Sequence, residues 1–382
     1  MVSSPRDLTA VFGSRFFGPG GKVTTAQAKR AIGVLGMGTY LPAHCRSNEE
    51  VAARSGGVTA PWIARRTGVL SRHVAAPHEA ASDLAAVAVR RALSAAGLEA
   101  DQVDLIVLGS GTPDEIGSAT ACRVQALTGA SRAVALDVTA ACAGWVFGAR
   151  VARDWLLADS SARYAVVVGV EVFSRFLSPC DRSTLVLFGD GAAAAVLGPV
   201  PADGGFRDFR LGSDGAGADL VRIPAGGSRD PASISTVESG GHTVQMRGQH
   251  ITSYVSSAFP RVVSEVLARN NLGVKDIDVY ANHQPNPVLL TNLAEQAGIP
   301  MDRLVIVGDT VGNIGAASAP YALAAAAARD QLKPGSRVLI TAYGAGLTWA
   351  GALLTWTGAP VCHQESGGWE ESDGADTSVI LS

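Results

Sequence analysis

The sequence predicts an α/β protein made of two similar halves packed about a pseudo-twofold axis. Three observations carry that expectation. Apolar strand-like runs alternate with helical stretches, segments of the first half recur in the second at a near-constant offset, and a turn-rich stretch, Pro199-Val-Pro-Ala-Asp-Gly-Gly205, lies between them.

The elements follow in chain order. Ser82-Asp-Leu-Ala-Ala-Val-Ala-Val-Arg-Arg-Ala-Leu has helical apolar spacing, with Ser82 placed to cap it. Val103-Asp-Leu-Ile-Val-Leu108, Ala133-Val-Ala-Leu-Asp-Val138 and Tyr164-Ala-Val-Val-Val-Gly169 are continuous apolar runs, the pattern of central strands buried on both faces. Val103-Asp-Leu-Ile-Val pairs with Ile277-Asp-Val-Tyr-Ala at an offset of 174, and Asp137-Val-Thr-Ala-Ala-Cys-Ala-Gly with Val311-Gly-Asn-Ile-Gly-Ala-Ala-Ser at 174. Tyr164-Ala-Val-Val-Val pairs with Arg337-Val-Leu-Ile-Thr at 173. A steady offset over three segments points to duplication, and two such halves turn their strand-to-helix turns toward one central cleft. The expected division is a mobile leader over 1–30, a first half over 31–200, a second half over 205–357 and a polar tail over 358–382 that is expected to be disordered after Pro360.

Composition narrows the function. With 47% hydrophobic and 17% charged residues in 382, the chain supports a large core and does not resemble a disordered protein. A net charge of −3 gives no field that favours nucleic acid. No apolar run approaches the roughly 18 residues that span a bilayer, and the first residues lack the apolar centre of a secretory signal. The five cysteines are scattered without CxxC spacing, so neither a metal site nor a disulfide framework follows, and a reducing cytoplasm is the expected setting.

Three residues carry the chemistry. Cys142 follows a strand-like run, sits among Ala and Gly, and opens a helical stretch. Small neighbours leave room for a ligand, and a helix start is expected to lower the thiol pKa. His283, in Asn282-His-Gln-Pro-Asn286, lies just past a predicted strand end, where polar residues line clefts. Asn313, in the glycine-rich stretch Gly312-Asn-Ile-Gly315, occupies nearly the duplicated counterpart of the Cys142 turn. Taken singly, each has a bland reading as a core cysteine, a loop histidine or a turn asparagine. A two-half fold brings all three positions together.

Over about residues 31–357 the chain resembles the ketoacyl synthase III branch of the thiolase superfamily. The matching segments are Trp62-Ile-Ala-Arg-Arg-Thr-Gly68, Ala140-Ala-Cys-Ala-Gly144, Asp181-Arg-Ser-Thr184, Phe188-Gly-Asp-Gly191, His283-Gln-Pro-Asn286, Gly312-Asn-Ile-Gly-Ala-Ala-Ser318 and Tyr343-Gly-Ala-Gly-Leu-Thr-Trp349. The resemblance implies a five-layered αβαβα thiolase-like fold and a homodimer. It implies that Cys142 takes an acyl group, that the Cys142 and Gly346 N–H groups bind the oxyanion, and that His283 and Asn313 hold the carbonyl of a malonyl-type extender during decarboxylative condensation. Trp62, Arg66, Arg182 and Asn286 fall where the family contacts CoA. The substrates implied are acyl-CoA or carrier-protein (phosphopantetheine) thioesters, with no permanent cofactor and an acyl carrier protein as partner.

Two departures stand out. His283-Gln-Pro-Asn-Pro-Val288 lacks the basic residue that usually closes this motif in the family, and Pro113-Asp-Glu-Ile-Gly-Ser-Ala-Thr-Ala-Cys122 lacks the aromatic often found there. They favour polyketide or other secondary-metabolic synthesis over housekeeping fatty-acid synthesis. The rival readings are transfer of the same acyl group to a hydroxyl or amine, and a non-catalytic thiolase-fold partner, which would need no nucleophile.

Overall fold

A computed structural model describes residues 30–366. The leader and much of the polar tail lie outside the described residues.

Two sheets form the frame. In the first, the strands lie in the order Val361–Cys362, Ala31–Tyr40, Asp190–Val200, Ala165–Val172, Leu105–Gly109, Val134–Val138. In the second the order is Val279–Tyr280, Arg337–Gly344, Thr348–Thr355, Gly205–Ser213. Apart from the added edge strand Val361–Cys362, corresponding strands lie in the same order and pair in the same sense: antiparallel, antiparallel, then parallel. A parallel bridge between Tyr280 and Leu304 takes the place that Val134–Val138 fills in the first half. The repeat offset is therefore visible as topology. The short 3-10 turns Ala141–Ala143 and Gly315–Ala317 start 174 residues apart, as do the helices that follow them, Gly144–Ala158 and Ser318–Ala328.

Those two helices fill the space between the sheets. Ser318–Ala328 is buried over most of its length and apolar almost all round, mostly alanine, as a helix enclosed on all sides must be. Helix Ala81–Ala96 covers the outer face of the first sheet, and Gly248–Arg269 with Pro287–Gln296 covers the second, giving αβαβα layering with one apolar cluster under each outer layer and one continuous through the middle. Small residues set the spacing: an added Cβ on Gly109 would stand 2.5 Å from the Gly144 carbonyl carbon. Among the described residues no helix is long and apolar enough to cross a membrane.

Two local expectations are corrected. Helix Ala81–Ala96 is capped at Ala80, not Ser82. The Asp83 carboxylate accepts from the Ala80 N–H at 2.8 Å, so an acidic residue in the first turn does the work expected of the serine. The C-terminal segment also stays in the fold as far as Ser366. Val361–Cys362 pairs with Met37 and Gly38, and the Gln364 side chain exchanges hydrogen bonds with Leu41 N–H and C=O and accepts from Arg91. Arg30, at the leader boundary, donates to Leu156 O and Ala162 O.

Candidate active site

Cys142 sits at the middle of the 3-10 turn Ala141–Ala143, immediately before helix Gly144–Ala158. The residue before it, Ala141, has φ 45°, a left-handed conformation that a Cβ disfavours. In the duplicate turn the matching position is Gly315, with φ 50°. The strained residue thus aims the half-buried Cys142 side chain from the strand end into the cleft. The loop after strand Arg337–Gly344 packs directly on this turn: Thr348 donates to Ala140 O at 3.0 Å, and an added Cβ on Gly344 would stand 2.3 Å from the same oxygen.

Asn313 is held through its backbone. Its N–H donates to Leu187 O at 2.8 Å and its carbonyl accepts from Gly189 N–H at 3.0 Å, so the Phe188-Gly-Asp-Gly191 stretch of the first half clamps the second. Its Oδ1 accepts from Gly315 N–H at 2.9 Å, which orients the amide and leaves the NH2 as the donor. His283 is fixed at the end of its strand by a 2.7 Å bond from its N–H to Thr341 O. The next residue, Gln284, pins the loop: its amide donates to Asn282 O and Val305 O and accepts from the Val307 and Gly308 N–H groups.

Cys142, His283 and Asn313 line one cavity of about 960 Å³, together with Trp62, Arg66, Arg182 and Asn286. Gly346 lies in the loop whose neighbours Ala345 and Leu347 line it. Trp62 and Arg66 are one turn apart on the short helix Ala60–Thr67, which Thr59 caps. The Arg182 guanidinium stands 6.0 Å from the Trp62 ring centroid, a ready stack for a planar base. Asn286 has a second duty, since its side chain caps helix Pro287–Gln296 through Leu289 N–H. The cavity carries Arg66, Arg182 and Arg222 and, among the described residues, no carboxylate, which suits an anionic ligand. Apolar residues, among them Phe173, Phe188 and Val244, form part of its remaining wall.

The electrostatics correct one expectation. Burial, and then the nearby Glu171 carboxylate, push the Cys142 thiol up from its ordinary value, outweighing a smaller downward pull from its own backbone N–H. Burial lowers the His283 imidazole to about 4, against a smaller upward pull from the Gly315 backbone, so His283 is neutral at physiological pH. Its Nδ1 is buried without a partner among the described residues, as are the hydroxyls of Tyr254 and Tyr343, which also line the cavity. Sequence reasoning missed both tyrosines and missed Glu171. The one available signal for Glu171 was a carboxylate inside the otherwise apolar run Ala165-Val-Val-Val-Gly-Val-Glu-Val172. No His/Cys/Asp/Glu cluster that could hold a metal occurs among the described residues.

Comparison with known proteins agrees with this geometry. Residues 136–215 match the family described as 3-Oxoacyl-[acyl-carrier-protein (ACP)] synthase III, and residues 267–356 match its C-terminal part. The chain is 39% identical over 320 residues to a beta-ketoacyl-[acyl-carrier-protein] synthase III of Symbiobacterium thermophilum, covering 84% of this chain and 96% of that one. The crystal structure of FabH from Pseudomonas aeruginosa PAO1 superposes with TM-score 0.79 at 38% identity, covering 86% of this chain and 99% of that one. The priming beta-ketosynthase of the R1128 polyketide pathway superposes with TM-score 0.79 at 30% identity, covering 89% and 100%.

Proposed function

Because this chain belongs to the beta-ketoacyl-[acyl-carrier-protein] synthase III family of acyl-transferring condensing enzymes, we propose that it primes chain synthesis by loading an acyl group on Cys142 and condensing it with a malonyl-type thioester. The observation that carries this reading is the single cavity that holds Cys142, His283 and Asn313 together with the Trp62–Arg182 stack and Arg66.

The steps follow from the groups present. The nucleotide of an acyl-CoA lies against Trp62 and Arg182, with its phosphates near Arg66. Cys142 sulfur attacks the thioester carbonyl, a C–S bond forms, and CoA leaves as its thiol with the proton that Cys142 loses. The Cys142 and Gly346 N–H groups hold the oxyanion. The malonyl-type thioester then enters by the same route. Neutral His283 and the oriented Asn313 amide donate to its thioester carbonyl while carbon dioxide leaves, and the enolate carbon attacks the acyl group to release Cys142. Two neutral donors suit an oxygen that becomes negative only during the reaction. Transfer to a hydroxyl or amine would give the Asn313 amide no carbonyl to hold, so condensation is the better reading.

A polyketide starter is the favoured product class, as in the R1128 relative. Val288, 39% exposed at the cavity, offers no positive charge to an acidic carrier protein, so CoA thioesters should serve well as donors. The enzyme acts as a homodimer in a reducing compartment that keeps Cys142 a free thiol. Asn313→Ala tests the mechanism. It should keep acylation of Cys142 by acyl-CoA but lose decarboxylation of a malonyl thioester by about 10²-fold or more, measured as carbon dioxide release. Equal rates for both half-reactions in the variant and the parent would refute condensation.

A further inference from the structure

We propose that Glu171 is a positioning residue whose buried carboxylate braces the Gly111–Thr112 stretch beside the Cys142 turn against the turn that follows Asn313 and places a negative charge near Cys142. The proposal rests on Cys142 being the nucleophile.

Glu171 ends the apolar strand Ala165–Val172 and is fully buried. A carboxylate in such a place is costly unless hydrogen bonds hold it. Its oxygens accept from Gly111 N–H at 3.0 and 3.1 Å, from Thr112 Oγ1 at 2.7 Å and from Ala316 N–H at 3.3 Å. Among the described residues no Lys or Arg forms an ion pair with it. Cys142, from the central turn, is the ionisable group whose charge it bears on, and Asp190 stands on the adjacent antiparallel strand; the helices packed on this strand carry Asp83, Arg90, Arg91, Arg150, Arg153 and Asp154, none of them hydrogen-bonded to Glu171. Asp190 is turned to Ala75 N–H and Ser174 instead.

These contacts span the two catalytic turns. An added Cβ on Gly111 would stand 3.7 Å from both Glu171 oxygens and 3.9 Å from Ala141 Cα, so carboxylate and Cys142 turn flank one point. Ala316 belongs to the 3-10 turn Gly315–Ala317, whose first N–H is held by the Asn313 side chain. An added Cβ on Gly315 would stand 2.5 Å from Glu171 Cγ. One side chain therefore bonds to the turn that follows Asn313 and, through Gly111, borders the turn that carries Cys142. A negative charge beside Cys142 opposes thiolate formation. Burial raises the Glu171 carboxyl to about 7, against the hydrogen bonds that favour its charge, so that charge changes near neutrality.

The test is iodoacetamide alkylation of Cys142 in the parent and in Glu171→Gln, between about pH 6 and pH 10. Peptide mapping separates Cys142 from the four exposed cysteines. Above neutrality, where Glu171 is charged in the parent, the neutral amide should make Cys142 roughly tenfold more reactive at a fixed pH. Superimposable profiles in a folded Glu171→Gln protein overturn the proposal. If that variant does not fold, Glu171→Asp carries the test. It keeps the charge but draws it back from Gly111 and Ala316, so the alkylation rate at a fixed pH should stay near the parent's while kcat for condensation falls about tenfold. Parental kcat in Glu171→Asp also overturns the proposal. Alkylation reads the thiol alone, so a failed coupling is distinct from a failed nucleophile assignment, which is judged by where an acyl group lands.

Discussion

At the scale of single residues, chemistry here is set more by burial than by residue type. The Cys142 stretch was legible because small residues on both sides of a cysteine leave space that a core would fill. Its pKa direction was not legible, because a sequence shows the helix start but not the desolvation or the carboxylate of Glu171, 29 positions away in the chain. The same physics makes His283 a neutral donor. His283 and His363 are both lowered to about 4 by burial, below the ordinary value near 6.5. The native state therefore binds fewer protons than the unfolded chain between those values. Stability should rise with pH through that window, be complete above it, and be lost as pH falls. NMR titration of histidine-labelled protein, with His283→Asn for assignment, should show His283 uncharged down to about pH 5. A midpoint near 6.5 would contradict the neutral-donor role.

At the scale of elements, the duplication was readable because a constant offset survives even where apolar strands are interchangeable. Strand ends and caps were less so. Ser82 looked like the cap, yet Ala80 holds that position, since the carboxylate of Asp83 can satisfy the cap N–H from inside the first turn. The C-terminal segment was misjudged for a different reason. Its composition is polar, and its partners lie more than 300 positions away: Thr39 Oγ1 accepts from the Gln364 N–H at 2.8 Å, and Leu41 N–H donates to the Gln364 side chain. Such pairings leave no local periodicity. Gln364→Ala should strand the buried Leu41 N–H and release Arg91, costing roughly 1–3 kcal/mol. The check is a lower midpoint in urea unfolding with an unchanged slope. An unchanged midpoint would mean that the segment rests on the fold without supporting it.

For the whole molecule, two halves with one strand order place three strand-end turns at one cleft, and the cleft joins a thiol, an imidazole and an amide to a cationic, aromatic mouth. Strand order and layering explain why residues 142, 283 and 313 meet although 171 positions separate the first from the last. The central claim is that the acyl group travels on Cys142. The most direct measurement is intact-protein and peptide mass spectrometry after incubation with a panel of acyl-CoAs. The account predicts one acyl group per chain on the Cys142 peptide, lost in Cys142→Ala and retained in Cys180→Ala. A stable acyl adduct that persists in Cys142→Ala would contradict it.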